Sequence, residues 1–150
     1  RPRFVWALRN EGRGRFPARY LRLTPRLLTQ MKETMPEPMV SKLFGQIAED
    51  LASEYANDIK GLSMEERLDL VKDLLAQEGF TVEWEKKGSQ YQIHEISCPY
   101  YQIGMTPPEV CTVDQTLISK MLALPANKVQ CILDGGAHCT YVVQPAVKTK

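Results

Sequence analysis

The apolar residues of this chain change their period at Gly79. Before it they recur every three or four residues and after it every second residue, so helices must come first and strands afterwards. From about Met39 to Asn57, the residues Val40, Leu43, Phe44, Ile47, Leu51 and Tyr55 form one helical stripe. Ser63-Met64-Glu65-Glu66 reads as a capping box, with the serine hydroxyl taking a free backbone N–H and Glu66 reaching back to another. The helix it opens turns Leu68, Val71, Leu74 and Leu75 inward and stops at Gly79, a residue suited to a helix C-terminus. An earlier helical segment can start from Pro17. Within it, Thr24-Pro25 resembles a cap followed by proline at the first helical position, and Leu27, Leu28 and Met31 supply the apolar side. Met35-Pro36-Glu37-Pro38 breaks that segment.

Beyond Gly79, Phe80, Val82 and Trp84 alternate with polar neighbours, and Gly88-Ser89 supplies a turn. The returning strand turns either Tyr91, Ile93 and Glu95 or Gln92, His94 and Ile96 inward, and ends at Cys98-Pro99. Thr106-Pro107-Pro108-Glu109 opens another helix, whose apolar face is Val110, Val113, Leu117, Ile118, Met121 and Leu122. A hairpin of residues Val129 to Leu133 and Thr140 to Val143 closes across Asp134-Gly135-Gly136, which sets Cys131 and Cys139 on facing strands. Helices followed by strand, strand, helix, strand, strand predict an α+β fold, an antiparallel sheet with helices on one face. With 150 residues, 43% of them hydrophobic and 25% charged, the chain can bury a core of ordinary globular composition. No apolar run is long enough for a bilayer and no signal segment opens the chain, so a cytoplasmic protein is expected. It begins with Arg1 rather than Met, and is expected to be part of a longer protein.

The chemistry of the chain centres on its four cysteines. Cys98, Cys111 and Cys139 follow the spacing C-x12-C-x27-C, each near an expected junction between elements, and Cys131 lies seven intervening residues before Cys139. Thiolates favour zinc, cuprous copper and iron-sulfur clusters. The close C-x2-C pairs of zinc ribbons and the tight runs of ferredoxins are both missing, so any ligand set must converge through the fold. Read from the residues alone, metal ligation stands beside burial as small core thiols. At the start of its helix, Cys111 is expected to have its thiolate favoured by the partial positive charge of that terminus. Catalysis has no comparable support: the chain carries no nucleophile elbow, phosphate loop, H-E-x-x-H or C-x-x-C, and the expectation is that it is not an enzyme.

Charge is segregated. The net charge is +1, yet residues 1–32 hold nine Lys or Arg against the single acid Glu11, leaving ten basic and seventeen acidic residues for the remainder. A basic arm on an acidic body is the footprint of nucleic-acid contact, and equally that of a solvated basic segment.

Cys98-Pro99-Tyr100, Pro108-Glu109-Val110-Cys111 and Gly136-x-x-Cys139-x-Tyr141 together resemble the carboxy-terminal sensor of the Suf-operon repressor type of regulators. These are iron-sulfur-binding winged-helix transcription factors grouped with the DeoR or ArsR types, and the sheet-and-helix region is similar to their vinyl-reductase-like domain. Arg1-Pro2-Arg3-Phe4-Val5-Trp6-Ala7-Leu8 through Phe16-Pro17-x-x-Tyr20 resembles the last wing strand of the winged helix and its exit. Family members usually have a glycine before the Arg-Pro and a tyrosine where Trp6 stands. The resemblance implies a wing remnant over residues 1–22, a helical linker and dimerisation region over 23–78, a cysteine-containing α+β sensor over 79–145 and a tail over 146–150. It also implies a [4Fe-4S] cluster on Cys98, Cys111 and Cys139; Cys131, His138 or His94 are further candidate ligands by position, and the long helix from about Met39 to Asn57 could form the seam of a homodimer. Arg1, Arg3, Arg13 and Arg15 would meet DNA beside a helix-turn-helix lying upstream. The alternative is a zinc-stabilised or small-molecule sensor, with Tyr100, Tyr101, Trp84 and Met105 about an apolar pocket.

Overall fold

The computed structural model of the protein describes residues 20–101 and 108–145. The expected wing strand and its turn, the Thr106-Pro107 cap, Met105 and the tail after Pro145 lie outside the described residues, as do Arg1, Arg3, Arg13 and Arg15. Three helices come first: α1 (Tyr20–Thr34), α2 (Glu37–Glu54) and α3 (Met64–Gln77). The hairpin β1 (Thr81–Lys87) and β2 (Gln90–Ser97), helix α4 (Cys111–Leu122) and the strands β3 (Ala126–Gln130) and β4 (Cys139–Val143) follow. All strand pairings are antiparallel, in the sheet order β1-β2-β4-β3, so the last strand slots between β2 and β3. The expected α+β class is observed.

Local chemistry explains most of the boundaries. At the start of α3, the Glu66 N–H donates to the Ser63 hydroxyl at 3.3 Å and the Ser63 N–H donates to the Glu66 carboxylate at 2.7 Å, the reciprocal pair of a capping box. The helix ends at Gly79, whose φ of 96° is one that a Cβ disfavours, while the Phe80 N–H closes back on the Leu75 carbonyl at 3.0 Å. Two departures from expectation concern the first helices. Thr24-Pro25 is not a cap: α1 is already helical at Tyr20, the first described residue, and carries Pro25 inside it, giving up one backbone hydrogen bond there. In α2 the buried face is Val40, Phe44, Ala48 and Ala52, whereas Leu43 and Ile47 from the expected stripe are 38% and 41% exposed.

The main core joins Ala52 of α2, the inner residues of α3 and α4, and the sheet side chains Val82, Tyr91, Ile93, Tyr141 and Val143. A second cluster, Leu28, Val40, Phe44 and Ala48 with Val110 and Val113, ties α1 and α2 to the start of α4. Burying a large aliphatic side chain such as Leu75 or Ile118 contributes about 2 kcal/mol. The first strand of the closing hairpin lies three residues earlier than expected, at Ala126–Gln130 rather than Val129–Leu133. Its register pairs Ala126 with Val143 and Gln130 with Thr140, and Cys131 falls just past the strand, before a turn at Ile132–Asp134. Thus Cys131 and Cys139 flank the connection rather than facing each other within the ladder.

Candidate metal centre

Strand alternation builds the site. Tyr91, Ile93 and Glu95 of β2 point to the core side of the sheet, and Cys139, Tyr141 and Val143 of β4 match them. The antiparallel register sets Glu95 opposite Cys139 and Ile93 opposite Tyr141. Directly opposed residues have Cβ atoms about 5 Å apart. A carboxyl group therefore lies beside a thiol within an otherwise apolar layer.

Two acids are buried here, Glu95 at 2% exposure and Asp114 of α4 at 3%. Burial pushes Glu95 up to about 7, against the opposing pull of Lys128 and of the Tyr141 hydroxyl. Burial, followed by the charge of Glu95, pushes Asp114 up to about 8, with Lys128 again opposing. Lys128 stands opposite Tyr141 in the ladder and holds its Nζ 5.4 Å from the tyrosine ring centroid. Glu95 Oε1 has no hydrogen-bond partner among the described residues. An unpartnered buried oxygen of this kind is costly, and a bound cation would relieve it.

The turn after β3 fixes Cys131. Its carbonyl accepts the Asp134 N–H at 3.2 Å and the Gly136 N–H at 3.0 Å. A Cβ on Gly136 would lie 2.8 Å from that carbonyl oxygen and 2.8 Å from Gln130 Cγ, so glycine is required for the fit. Held this way, Cys131 Sγ is 3.9 Å from Cys139 Sγ, and the Ile132 N–H donates to Cys139 Sγ at 3.4 Å. Cys131 also borders an open cavity of about 400 Å³ lined by Lys128, Val129, Gln130, Asp134, Gly135 and Gly136.

Cys98 follows β2, Cys111 opens α4, and both are half-buried. Burial pushes the Cys98 thiol up to about 12, with Asp114, Glu95 and Cys111 adding to the rise. Cys111 is also raised, first by burial and further by Cys131, Asp114 and Glu95, with Lys128 opposing. The helix terminus does not leave Cys111 with a favoured thiolate, contrary to expectation. Cys139 is pushed up to about 11 by burial, with the Ile132 N–H opposing and Cys131 and Glu95 adding to it. These thiols are therefore protonated near neutrality unless a cation is bound, and metal capture would release their protons.

The donor set suits a soft ion, and one separation suits it geometrically. With metal–sulfur bonds of about 2.3 Å, two thiolates on one tetrahedral ion lie roughly 3.8 Å apart. The Cys131 to Cys139 separation of 3.9 Å agrees with that. Yet among the described residues no three His, Cys, Asp or Glu side chains are arranged to hold a metal ion. Cys98 and Cys111 bracket residues 102–107 and would have to draw toward the Cys131–Cys139 pair.

The other candidates are placed elsewhere. His94 points to the sheet face opposite Glu95, with Nδ1 3.1 Å from Thr140 Oγ1 and Nε2 3.2 Å from Glu85 Oε1. Its ring meets His138 edge to face at 5.1 Å. Trp84 packs on Tyr91 and donates its indole N–H to Asp69 at 2.8 Å, while Tyr100 packs on Phe80 and Tyr101 is exposed. Glu95, Asp114 and Lys128 were not singled out from sequence as members of the site. Glu95 carried a signal, since it falls in phase with Tyr91 and Ile93, and Asp114 lies among the buried positions of α4. No family model matches the chain, and no curated protein matches it. No helix among the described residues is long and apolar enough to cross a membrane.

Proposed function

We propose that the chain is the sensing part of a transcription regulator of the Suf-operon repressor type, with Cys98, Cys111 and Cys139 as ligands of a [4Fe-4S] cluster. The observation that carries this reading is the meeting of thiols and buried carboxyls at one end of the sheet. Cys139 stands opposite Glu95, and Cys131 lies 3.9 Å from Cys139. Bound there, the cluster would supply an oxygen-labile link between the end of β2, the start of α4 and the start of β4. Cys98 and Cys111 would hold the two ends of residues 98–111, and the Ile132 N–H would support the Cys139 sulfur. The second cluster of apolar side chains joins Val110 and Val113 to α1 and α2, a physical route from these thiols toward the amino-terminal arm. Arg1, Arg3, Arg13 and Arg15 of that arm are the proposed DNA contacts. Two copies would pair through the apolar side chains that α2 leaves exposed, Met39, Leu43 and Ile47, spaced at successive helical turns.

One observation favours a second reading. A [4Fe-4S] cluster takes one cysteine per iron, whereas the Cys131–Cys139 separation matches two thiolates on a single ion, as in a zinc site. Anaerobic reconstitution with iron and sulfide, followed by absorbance and metal quantification, separates the two. About four irons, lost on Cys98→Ser, Cys111→Ser and Cys139→Ser but kept on Cys131→Ser, is the expected result. A colourless protein holding one zinc, lost on Cys131→Ser as well as on Cys139→Ser, would replace the cluster with a zinc site.

A further inference from the structure

We infer that Cys131 and Cys139 are a peroxide-oxidisable thiol pair that closes to an intramolecular disulfide, with Cys131 the attacking and Cys139 the resolving sulfur. Three observations carry this. The two sulfurs are already 3.9 Å apart, and reaching bonding distance takes a closure of about 2 Å. The position of Cys131 is not accidental: two backbone N–H groups pin its carbonyl, and Gly136 packs against that oxygen where any side chain would collide. The two thiols also differ in access. Cys139 is 3% exposed, while Cys131 is half-buried and borders the cavity shared with Lys128, Gln130 and Asp134. A small hydroperoxide can reach Cys131 from that cavity but has no comparable path to Cys139.

The chemistry balances with hydrogen peroxide as the oxidant. The Cys131 sulfur attacks one peroxide oxygen and breaks the O–O bond, giving a sulfenic acid, and the thiol proton leaves with the departing oxygen as water. The Cys139 sulfur then attacks the Cys131 sulfur, forming the S–S bond, and the sulfenic hydroxyl leaves with the Cys139 proton as a second water. Two thiols are oxidised by two electrons in total and one peroxide is reduced. The disulfide bridges the end of β3 to the start of β4 and withdraws Cys139 from any metal. Only that last consequence depends on the metal-binding reading; the oxidation does not.

The test uses the full 150-residue chain, reduced and freed of metal by chelation, treated with stoichiometric hydrogen peroxide. Intact mass and free-thiol titration are followed by mapping after proteolysis on the amino side of Asp134, which separates the two cysteines. The expected result is the loss of two hydrogens and of two of the four thiols, with Cys131 and Cys139 in one cross-linked product. In Cys139→Ser the reaction should stop at a Cys131 sulfenic acid that dimedone traps, and in Cys131→Ser, Cys139 should stay reduced. Wild-type protein in which Cys98 or Cys111 oxidises first, or in which Cys131 is over-oxidised with Cys139 still free, would overturn the inference. The wild-type map decides the matter even where a serine variant folds poorly. Because the protein is metal-free, failure here leaves the cluster reading standing, and failed iron incorporation leaves this one standing.

Discussion

The Tyr141 hydroxyl lies 3.4 Å from one carboxyl oxygen of Glu95, and the other oxygen is buried without a partner among the described residues. Folding therefore favours the protonated acid. For such a group, stability is fully present below the unfolded pKa and is lost as the pH rises through the folded one. For Glu95 the window runs from 4.5 to about 7, and for Asp114 from 3.8 to about 8. The metal-free protein should become less stable across that range, by roughly 3 kcal/mol from Glu95 alone. Glu95→Gln should flatten the decline, matching the parent at the acid end and exceeding it at the neutral end. Urea unfolding at several pH values measures this, and an unchanged slope in the variant would refute it.

Gly136→Ala should destabilise the protein by about 1–3 kcal/mol, because the added carbon meets the Cys131 carbonyl oxygen and Gln130 at 2.8 Å. The Cys131 sulfur should shift with the turn, so the peroxide cross-link should form in lower yield than in the parent. Thermal unfolding and thiol titration on one sample report both effects. Parent stability with parent yield would show that the turn relaxes freely.

Leu43→Glu combined with Ile47→Glu changes side chains that are well exposed on α2. The helix should keep its fold, because its buried face is Val40, Phe44, Ala48 and Ala52. If α2 is the pairing surface, the double variant should sediment as a monomer where the parent sediments as a dimer. Dimers persisting in the variant would move the seam elsewhere.

Ser63→Ala removes one half of a reciprocal cap and should cost about 1 kcal/mol, with Ser63→Asp retaining most of the stability. Denaturant midpoints with unchanged slopes would check both values. Equal midpoints for parent and alanine variant would mean that packing of α3 makes the cap redundant.

The features legible in sequence were those whose cause lies within a few residues. The Ser63 cap, the Gly79 stop, the period-two pattern of the hairpin and the apolar face of α4 all depend on near neighbours. Where long-range packing decides, the local pattern does not suffice. A count of large apolar residues favours Leu43 and Ile47, but α2 packs beside α4 with Ala48 fully buried in the cluster that holds Val113, and small residues permit such close approach. Thr24-Pro25 carries a strong cap pattern, yet α1 is already helical at Tyr20 and tolerates the proline. At the candidate site, the four cysteines are plain in the sequence and Glu95 falls on one of two alternative inward faces of its strand, while the burial of Asp114 has no local signal. An acid in phase with an apolar strand turns inward only when the facing layer leaves room for it, and that room is set by Cys139, Tyr141 and α4 together.

The sheet order leaves β1 and β3 as the outer strands, and both outer pairings slip in register, at Thr81/Val82 and at Lys128/Gln130. The central β2–β4 ladder runs without a slip. β1 also carries Glu83, Glu85, Lys86 and Lys87 along its length. Irregular, charged margins are poor templates for strand addition by a neighbouring chain. The molecule can thus keep a regular, well-hydrogen-bonded centre without inviting runaway β-polymerisation.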